Sequence, residues 1–233
     1  RRPPRLVMRR ATGAVECLDR PVAPADLAGS LADVERLSAW FGGYALSLRA
    51  LDRLAARLRR ERALVVADVG GGSGGFASRL VARGRRRGRR LRVLVVDRDP
   101  VALRLARGRQ AAPGEIVVVR ADATALPFRA GSVDVVTCSL TLHHLEPEAA
   151  AASLAEMGRV ARLAVVLNDL LRTRLSLALV WLATRVFTRH PFSRHDGPLS
   201  VRRAYSPDEL RGLAAKAGLA RLRVRTHPLL GRL

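Results

Sequence analysis

The sequence predicts an α/β fold, a mainly parallel sheet with helices on both faces. Two observations carry the prediction. Short apolar runs of strand length alternate, from residue 64 to residue 167, with segments whose apolar residues recur at helical spacing. That alternation is the mark of βαβ units, whose crossovers lay helices on the sheet faces. Between the first strand and the next helix stands Ala67-Asp-Val-Gly-Gly-Gly-Ser-Gly-Gly-Phe76. So many glycines fit a turn whose backbone needs left-handed geometry and lets a ligand approach where a Cβ would collide, with a helix N-terminus just beyond.

A basic leader covers residues 1 to 10. Ala25 to Phe41 then carries Leu27, Leu31, Val34, Leu37 and Phe41 at helical spacing, Gly42-Gly43 interrupts, and Tyr44 to Arg60 continues with Leu51, Leu54 and Leu58 on one face. Two amphipathic helices therefore precede the sheet. Strands are expected at 64 to 69, 91 to 97, 115 to 120, 133 to 139 and 161 to 167, with helices at 75 to 83, 100 to 107 and 147 to 159. Leu170 to Tyr205 breaks the alternation with an apolar helix over Leu175 to Phe187 and then a loop rich in His, Pro and Arg. Ser206-Pro-Asp-Glu209 is a capping box with proline at the first helical position, and Gly218 closes the helix it opens. Leu219 to Thr226 reads as a further strand. The expected organisation is a leader and helical cap over 1–60 and one nucleotide-binding domain over 61–233, with a lid insertion at 170–205.

With 233 residues and 48% hydrophobic content, the chain is long enough for one full core and needs no second domain. Its longest apolar stretch, Leu175 to Ala183, falls well short of the roughly 18 residues of a membrane span. No signal-peptide pattern follows the basic leader, and Met8 is a candidate initiator. Two cysteines, Cys17 and Cys138, are too few for a disulfide framework or a metal cluster and suit a reducing compartment, so a cytoplasmic protein without a metal is expected. The net charge of +22 is carried almost wholly by arginine spread along the chain. Its dense run, Arg83 to Arg92, joins a helix to the next strand, and such connections lie at the edge opposite the ligand crevice. Nucleic acid is therefore not the expected partner. A nucleic-acid-binding protein, or an RNA-modifying enzyme using the basic surface, remains the alternative reading, although no Asn-Pro-Pro-Tyr-like motif or appended RNA-binding module is found.

The glycines alone are ambiguous. Gly70, Gly72 and Gly75 satisfy G-x-G-x-x-G, while Asp68, Gly70, Gly72 and Gly74 satisfy D-x-G-x-G-x-G. Asp97 ends the second strand, where one carboxylate pairs well with two vicinal ribose hydroxyls in either kind of nucleotide site. Asp122, just past the third strand, is placed to accept from an adenine amino group. Taken in order, DVGGGSG (68 to 74), VVDRDP (95 to 100), RADATALPF (120 to 128) and SVDVVTCSLTLHHL (132 to 145) resemble the class I S-adenosylmethionine-dependent methyltransferases, and particularly the small-molecule branch that includes the ubiquinone and menaquinone enzymes. The resemblance implies a Rossmann-like sheet of seven strands and S-adenosylmethionine as cofactor. Within the matched motifs, Gly70, Gly72 and Gly74 would line its methionine and ribose portion, Asp97 would hold the ribose, Asp122 with Ala123 would flank adenine, and Ser139 would lie near the methionine end; Asp68 and Arg98 complete the cofactor set. Gly71 stands where a cysteine is common, and the usual Pro-Gly-Gly turn before the fifth strand is missing.

Topology also nominates the catalytic residues. His143 and His144 follow the fourth strand, Asn168 and Asp169 end the fifth, and His190, His195 and Asp196 belong to the excursion. His143, Asp169 and His195 are the candidate bases, each with a structural alternative: capping or packing for the histidines, a hydrogen bond to the lid for Asp169. Methyl transfer from a sulfonium is governed largely by positioning, and a base is needed only where the acceptor must lose a proton. The apolar cover from both helical segments points to a hydrophobic or aromatic acceptor, with O-methylation of a phenol, polyketide or quinone-like secondary metabolite expected, and with peripheral membrane contact for the apolar helix.

Overall fold

Five strands, β1 (Leu64–Val69), β2 (Leu91–Asp97), β3 (Ile116–Arg120), β4 (Val133–Ser139) and β5 (Ala161–Asn168), form one parallel sheet in the order β3-β2-β1-β4-β5. The computed structural model describes residues 8–56, 58, 62–109, 112–219 and 221–233. Register places Val69 beside Val96 and Cys138, Asp97 beside Arg120, and Ser139 beside Asn168. The carboxyl ends of all five strands therefore lie along one rim, where β1 and β4 separate chain segments wound to opposite sides.

Alternation along the strands feeds two cores. On one face Leu64, Val66, Val93, Val95 and Val135 pack against Leu51 of α2 (Gly43–Ala55), Phe76 and Leu80 of α3 (Gly75–Arg86) and Leu103 of α4 (Pro100–Arg107). On the other, Ala67, Val69, Val96, Val136 and Cys138 meet Met157 and Val160 of α5 (Pro147–Val160). Leu154 of α5 packs with Leu210 and Leu213 of α8 (Pro207–Lys216). Truncating one of these buried leucines to alanine costs about 2–5 kcal/mol.

The expected arginine run lies at the amino edge of the sheet and is tied down there. Arg83 and Arg87 pair with Asp52, Arg85 pairs with Glu115, and Arg89 donates to the carbonyls of Ala55 and Leu58. The cap helix expected to reach Arg60 ends at Ala55. Residues 57 and 59–61, like leader residues 1–7, lie outside the described residues.

Three expectations are corrected. Among the described residues the sheet has five strands rather than seven. The segment 221–226 alternates as a strand does, but Leu222 and Val224 pack on the α5–α8 core while Arg221, Arg223 and Arg225 face solvent. A cavity of about 650 Å³ lies between this segment and β5, so no ladder forms and only isolated bridges join Arg232 to Leu170 and His227. The loop expected after α6 (Arg174–Phe187) is instead a helix, α7 (Pro191–Arg203). Pro191 sits at its first position, where a missing N–H is harmless, and the His190 ring accepts from the Phe192 N–H. Gly197 lets α7 approach α6 so closely that a Cβ there would stand 2.6 Å from the Thr184 methyl carbon. That packing holds a helix that Gly197-Pro198 would otherwise break. Finally, the missing Pro-Gly-Gly turn leaves no link at all: α5 ends at Val160, β5 starts at Ala161, and a bulge opposite Val133–Val135 restores the register.

Candidate active site

Three acids and a bend of glycines occupy the carboxyl rim. After Val69 the backbone turns through Gly70 and Gly72, at φ +68° and +53°, the left-handed region that favours glycine. At Gly70 a Cβ would also fall 2.2 Å from the Thr141 hydroxyl. The Gly72 N–H donates to Asp97 Oδ2 (2.9 Å) and the Asp99 N–H to Asp97 Oδ1 (3.0 Å), so one carboxylate ties the bend to the end of β2. Burial raises the Asp97 carboxyl above the usual range, against these two bonds. Asp68, buried in β1, accepts from Thr137 Oγ1 at 2.7 Å. Burial pushes its carboxyl up to about 7, opposed by the Thr137 bond and helped by the charge of Asp97.

Asp122 stands exposed just beyond β3, and hydrogen bonds from the Thr124 hydroxyl (2.6 Å) and N–H (2.8 Å) hold its carboxyl low. Ala123 packs beside Val96 and Leu126. Arg98 is exposed, 3.9 Å from Asp19, and its carbonyl accepts from Arg120. Ser139 ends β4 with its hydroxyl buried and without a partner, and the next residue, Leu140, takes φ +54°, a strained value for a branched side chain. α1 (Pro24–Trp40) closes the bend from above, its Glu35 accepting from Ser73 Oγ and from Arg109 (2.8 Å).

A cleft of about 140 Å³ is lined by Asp68, Gly70 to Ser73, Ser139, Asn168 and Arg232. Asn168 donates to the Gly43 carbonyl (2.6 Å) and Ser47 (2.8 Å) while its Oδ1 is buried and unpartnered. Arg232 is 7% exposed and forms no ion pair or side-chain hydrogen bond with the described residues. Next to this cleft lies a larger cavity of about 330 Å³ enclosed by α1, α6 and α7, and Leu140, His144 and Arg232 line both.

The floor of the larger cavity is polar. His143 is 2% exposed, and its Nδ1 is 2.6 Å from Asp169 Oδ1. Asp169 also accepts the N–H groups of His143 (3.1 Å) and Leu170 (2.7 Å). Burial works to raise the Asp169 carboxyl, but the His143 imidazole and the Leu170 N–H prevail and hold it low. An ionised Asp169 makes His143 Nδ1 the donor, and Nε2 lies 3.9 Å from Oε1 of Glu16, which also lines the cavity. Glu16 is buried, which raises its carboxyl, and Ser200 (2.7 Å) and Arg203 (3.3 Å) donate to it. His144 Nδ1 lies 2.8 Å from Asp19.

The structure thus brings His143 and Asp169 into contact and leaves His195 apart. His195 sits on α7 with its ring largely exposed, next to Asp196 (2.7 Å) and Cys17 Sγ (3.6 Å). Its buried neighbour Asp196 accepts the N–H groups of Cys17 and Leu18 and so anchors the segment that carries Glu16. Glu16 and Arg232 escaped sequence reasoning. Neither belongs to a motif, and an arginine in so arginine-rich a chain carries no signal of its own.

Comparison with known proteins bears on the fold. Residues 66–163 match the family of methyltransferase domains, while no curated protein matches the chain in sequence. Solved structures share the fold. A methyltransferase complexed with a methyltransferase activator from Haloferax volcanii is 18% identical at TM-score 0.55, over 85% of this chain and 77% of that one. A SAM-dependent methyltransferase from Aquifex aeolicus is 20% identical at TM-score 0.56, over 85% and 89%. The CMeT domain of the citrinin polyketide synthase is 15% identical at TM-score 0.62, over 81% of this chain and half of that one. Residues 66–163 match a methyltransferase domain, and the chain shares its fold with solved S-adenosylmethionine-dependent methyltransferases.

Proposed function

We propose that the chain is a class I S-adenosylmethionine-dependent methyltransferase that methylates an oxygen of an apolar phenolic acceptor held in the 330 Å³ cavity, with His143 as general base. The observation that carries the reading is the His143–Asp169 pair on the floor of an apolar cavity that adjoins the glycine-lined cleft.

The cleft would take the cofactor's amino-acid tail, and residues along the rim outside its lining would take the adenosine. Asp97 would hold the ribose hydroxyls, and Asp122 with Ala123 would flank adenine, beside Arg98. The amino-acid tail would meet Asp68, the orphaned Ser139 hydroxyl and Asn168 Oδ1, and the Arg232 guanidinium. When bound, S-adenosylmethionine supplies an electrophilic methyl group whose leaving group needs no proton.

The chain's own residues do the rest. Leu140, at the boundary between cleft and cavity, and the walls of α1, α6 and α7 exclude water and fix the acceptor. Asp169 holds the His143 ring with Nε2 toward the cavity, and Nε2 takes the acceptor's hydroxyl proton. General base catalysis of this kind contributes about 10²–10⁴-fold. Incubating the enzyme and its His143→Gln variant with S-adenosylmethionine and a panel of alkyl-substituted phenols, followed by mass spectrometry, tests the reading. Wild type should add one methyl to oxygen and the variant should lose at least about 100-fold in kcat. Methylation restricted to carbon or nitrogen acceptors, or an undiminished variant, refutes it.

A further inference from the structure

Helix α6 is amphipathic in reverse. Its buried positions are Ser176 and Thr184, whereas Leu175, Leu179, Leu182 and Val186, at i, i+4, i+7 and i+11, form a stripe that is 38–61% exposed. Large exposed apolar side chains that gather on one face mark an interaction surface. Trp181 and Phe187 extend the stripe, and Phe187 joins Trp40, the last residue of α1, and Phe41 just beyond it through edge-on ring contacts at 5.7 and 5.5 Å. Leu229, 83% exposed, and Leu230 complete it from the C-terminal segment. Six members of this patch, Phe41, Leu179, Leu182, Phe187, Leu229 and Leu230, also line the 330 Å³ cavity. The cavity therefore opens through the patch.

Charge selects the occupant. Between Leu170 and Pro207 the only acid is Asp196, which is buried, and no acid follows Glu209. Arg174, Arg185 and Arg189 are exposed, and Arg185 lies over the Trp181 ring at 4.0 Å. Two copies meeting through this patch would set Arg174, Arg185 and Arg189 of each against those of the other, an excess that Asp26, 3.2 Å from the His190 ring, does not balance. An anionic bilayer answers both features, since acyl chains accept the apolar stripe and headgroups accept the arginine rim. With 14 residues α6 is too short to cross, and no helix among the described residues is long and apolar enough to do so. It suits the plane of the interface, where tryptophan is favoured.

We propose that the α6 face docks this enzyme onto an anionic membrane surface, so that a lipid-dissolved acceptor passes from the bilayer into the cavity; the second clause rests on the proposed function. Both of the chain's tryptophans, Trp40 and Trp181, stand in the patch, so their fluorescence reports docking directly.

Vesicles of phosphatidylcholine, alone or with about one third phosphatidylglycerol, provide the test. Expected are co-flotation and a blue-shifted emission with the anionic vesicles, much weaker binding to neutral ones, and at least about a tenfold loss of partitioning in Trp181→Glu/Val186→Glu, neither of which lines the cavity. Emission then comes from Trp40 alone. Failure of wild type to float with either vesicle overturns the proposal. A lipid-free dimer, seen by light scattering and dissociated by the same substitutions, also overturns it in favour of a second copy. If the protein docks as expected but methylates no phenol, docking stands and the proposed function fails.

Discussion

Arg232→Gln separates the interests of the folded protein from those of its ligand. A guanidinium 7% exposed, with burial acting to lower its pKa and no partner within ion-pair distance among the described residues, is a cation the fold leaves unanswered. Removing a buried charge that lacks a partner relieves a desolvation cost of several kcal/mol, only part of which the nearby charge of Asp169 offsets. The ligand-free variant should therefore unfold at a higher temperature than wild type. The ligand loses in turn. A charge-assisted hydrogen bond contributes about 1.5–3 kcal/mol, so the variant should bind S-adenosylhomocysteine about 10- to 150-fold more weakly. Binding of 5′-methylthioadenosine, which shares the adenosine but has no carboxylate, should change less than about twofold. Calorimetric titration of both proteins with both ligands, beside thermal unfolding without ligand, reads all the terms. Equal loss for the two ligands, or unchanged S-adenosylhomocysteine affinity with lowered stability, would refute the assignment of Arg232 to the amino-acid tail.

Further outcomes follow from the same rim. Asp97→Ala should weaken cofactor affinity by about 1–3 kcal/mol through the stranded ribose hydroxyls, and an unchanged dissociation constant in calorimetry would remove Asp97 from the site. Because the Asp68 carboxyl is raised to about 7, a ligand carrying an ammonium group should bind more tightly as pH rises from 6 to 8 and level off above; Asp68→Asn should flatten that profile. The same shift, in a carboxyl raised by folding, makes the ligand-free protein more stable below pH 7 than above it. Asp169→Asn should lower kcat by about 10²-fold or more with little change in cofactor affinity, because it frees the His143 tautomer, and a loss confined to KM would speak against that role. His195→Ala should keep kcat within about twofold of wild type, since its ring faces solvent away from the cavity.

Most of the sheet could be read from the chain because strand burial and helix amphipathicity impose periods that survive without an alignment. All five strands, and helices α1, α3, α4, α5 and α8, lie within a few residues of where periodicity places them. The shared rim of the candidate cofactor residues was legible for the same reason: a parallel strand that ends in an acid or a glycine bend delivers it to a common edge. What escaped depended on contacts between distant segments. α7 exists because Gly197 fits against Thr184, a fact absent from local propensity, which sees only glycine followed by proline. The segment 221–226 alternates as a strand does, yet its partner would have been β5 across a cavity. Glu16 and Arg232 reach the site from the two ends of the described chain, and no spacing rule joins them.

The seamless junction between Val160 and Ala161 constrains any engineering of this protein. Side chains on a strand change face with every residue. One residue added at that seam would turn β5 over, exchanging the faces of Arg162 and Leu163, breaking the Arg162–Asp134 pair and moving Asp169 off His143. A reporter or split point therefore belongs elsewhere, at a glycine turn such as Gly114 or Gly131, where a Cβ would meet nothing within 4 Å.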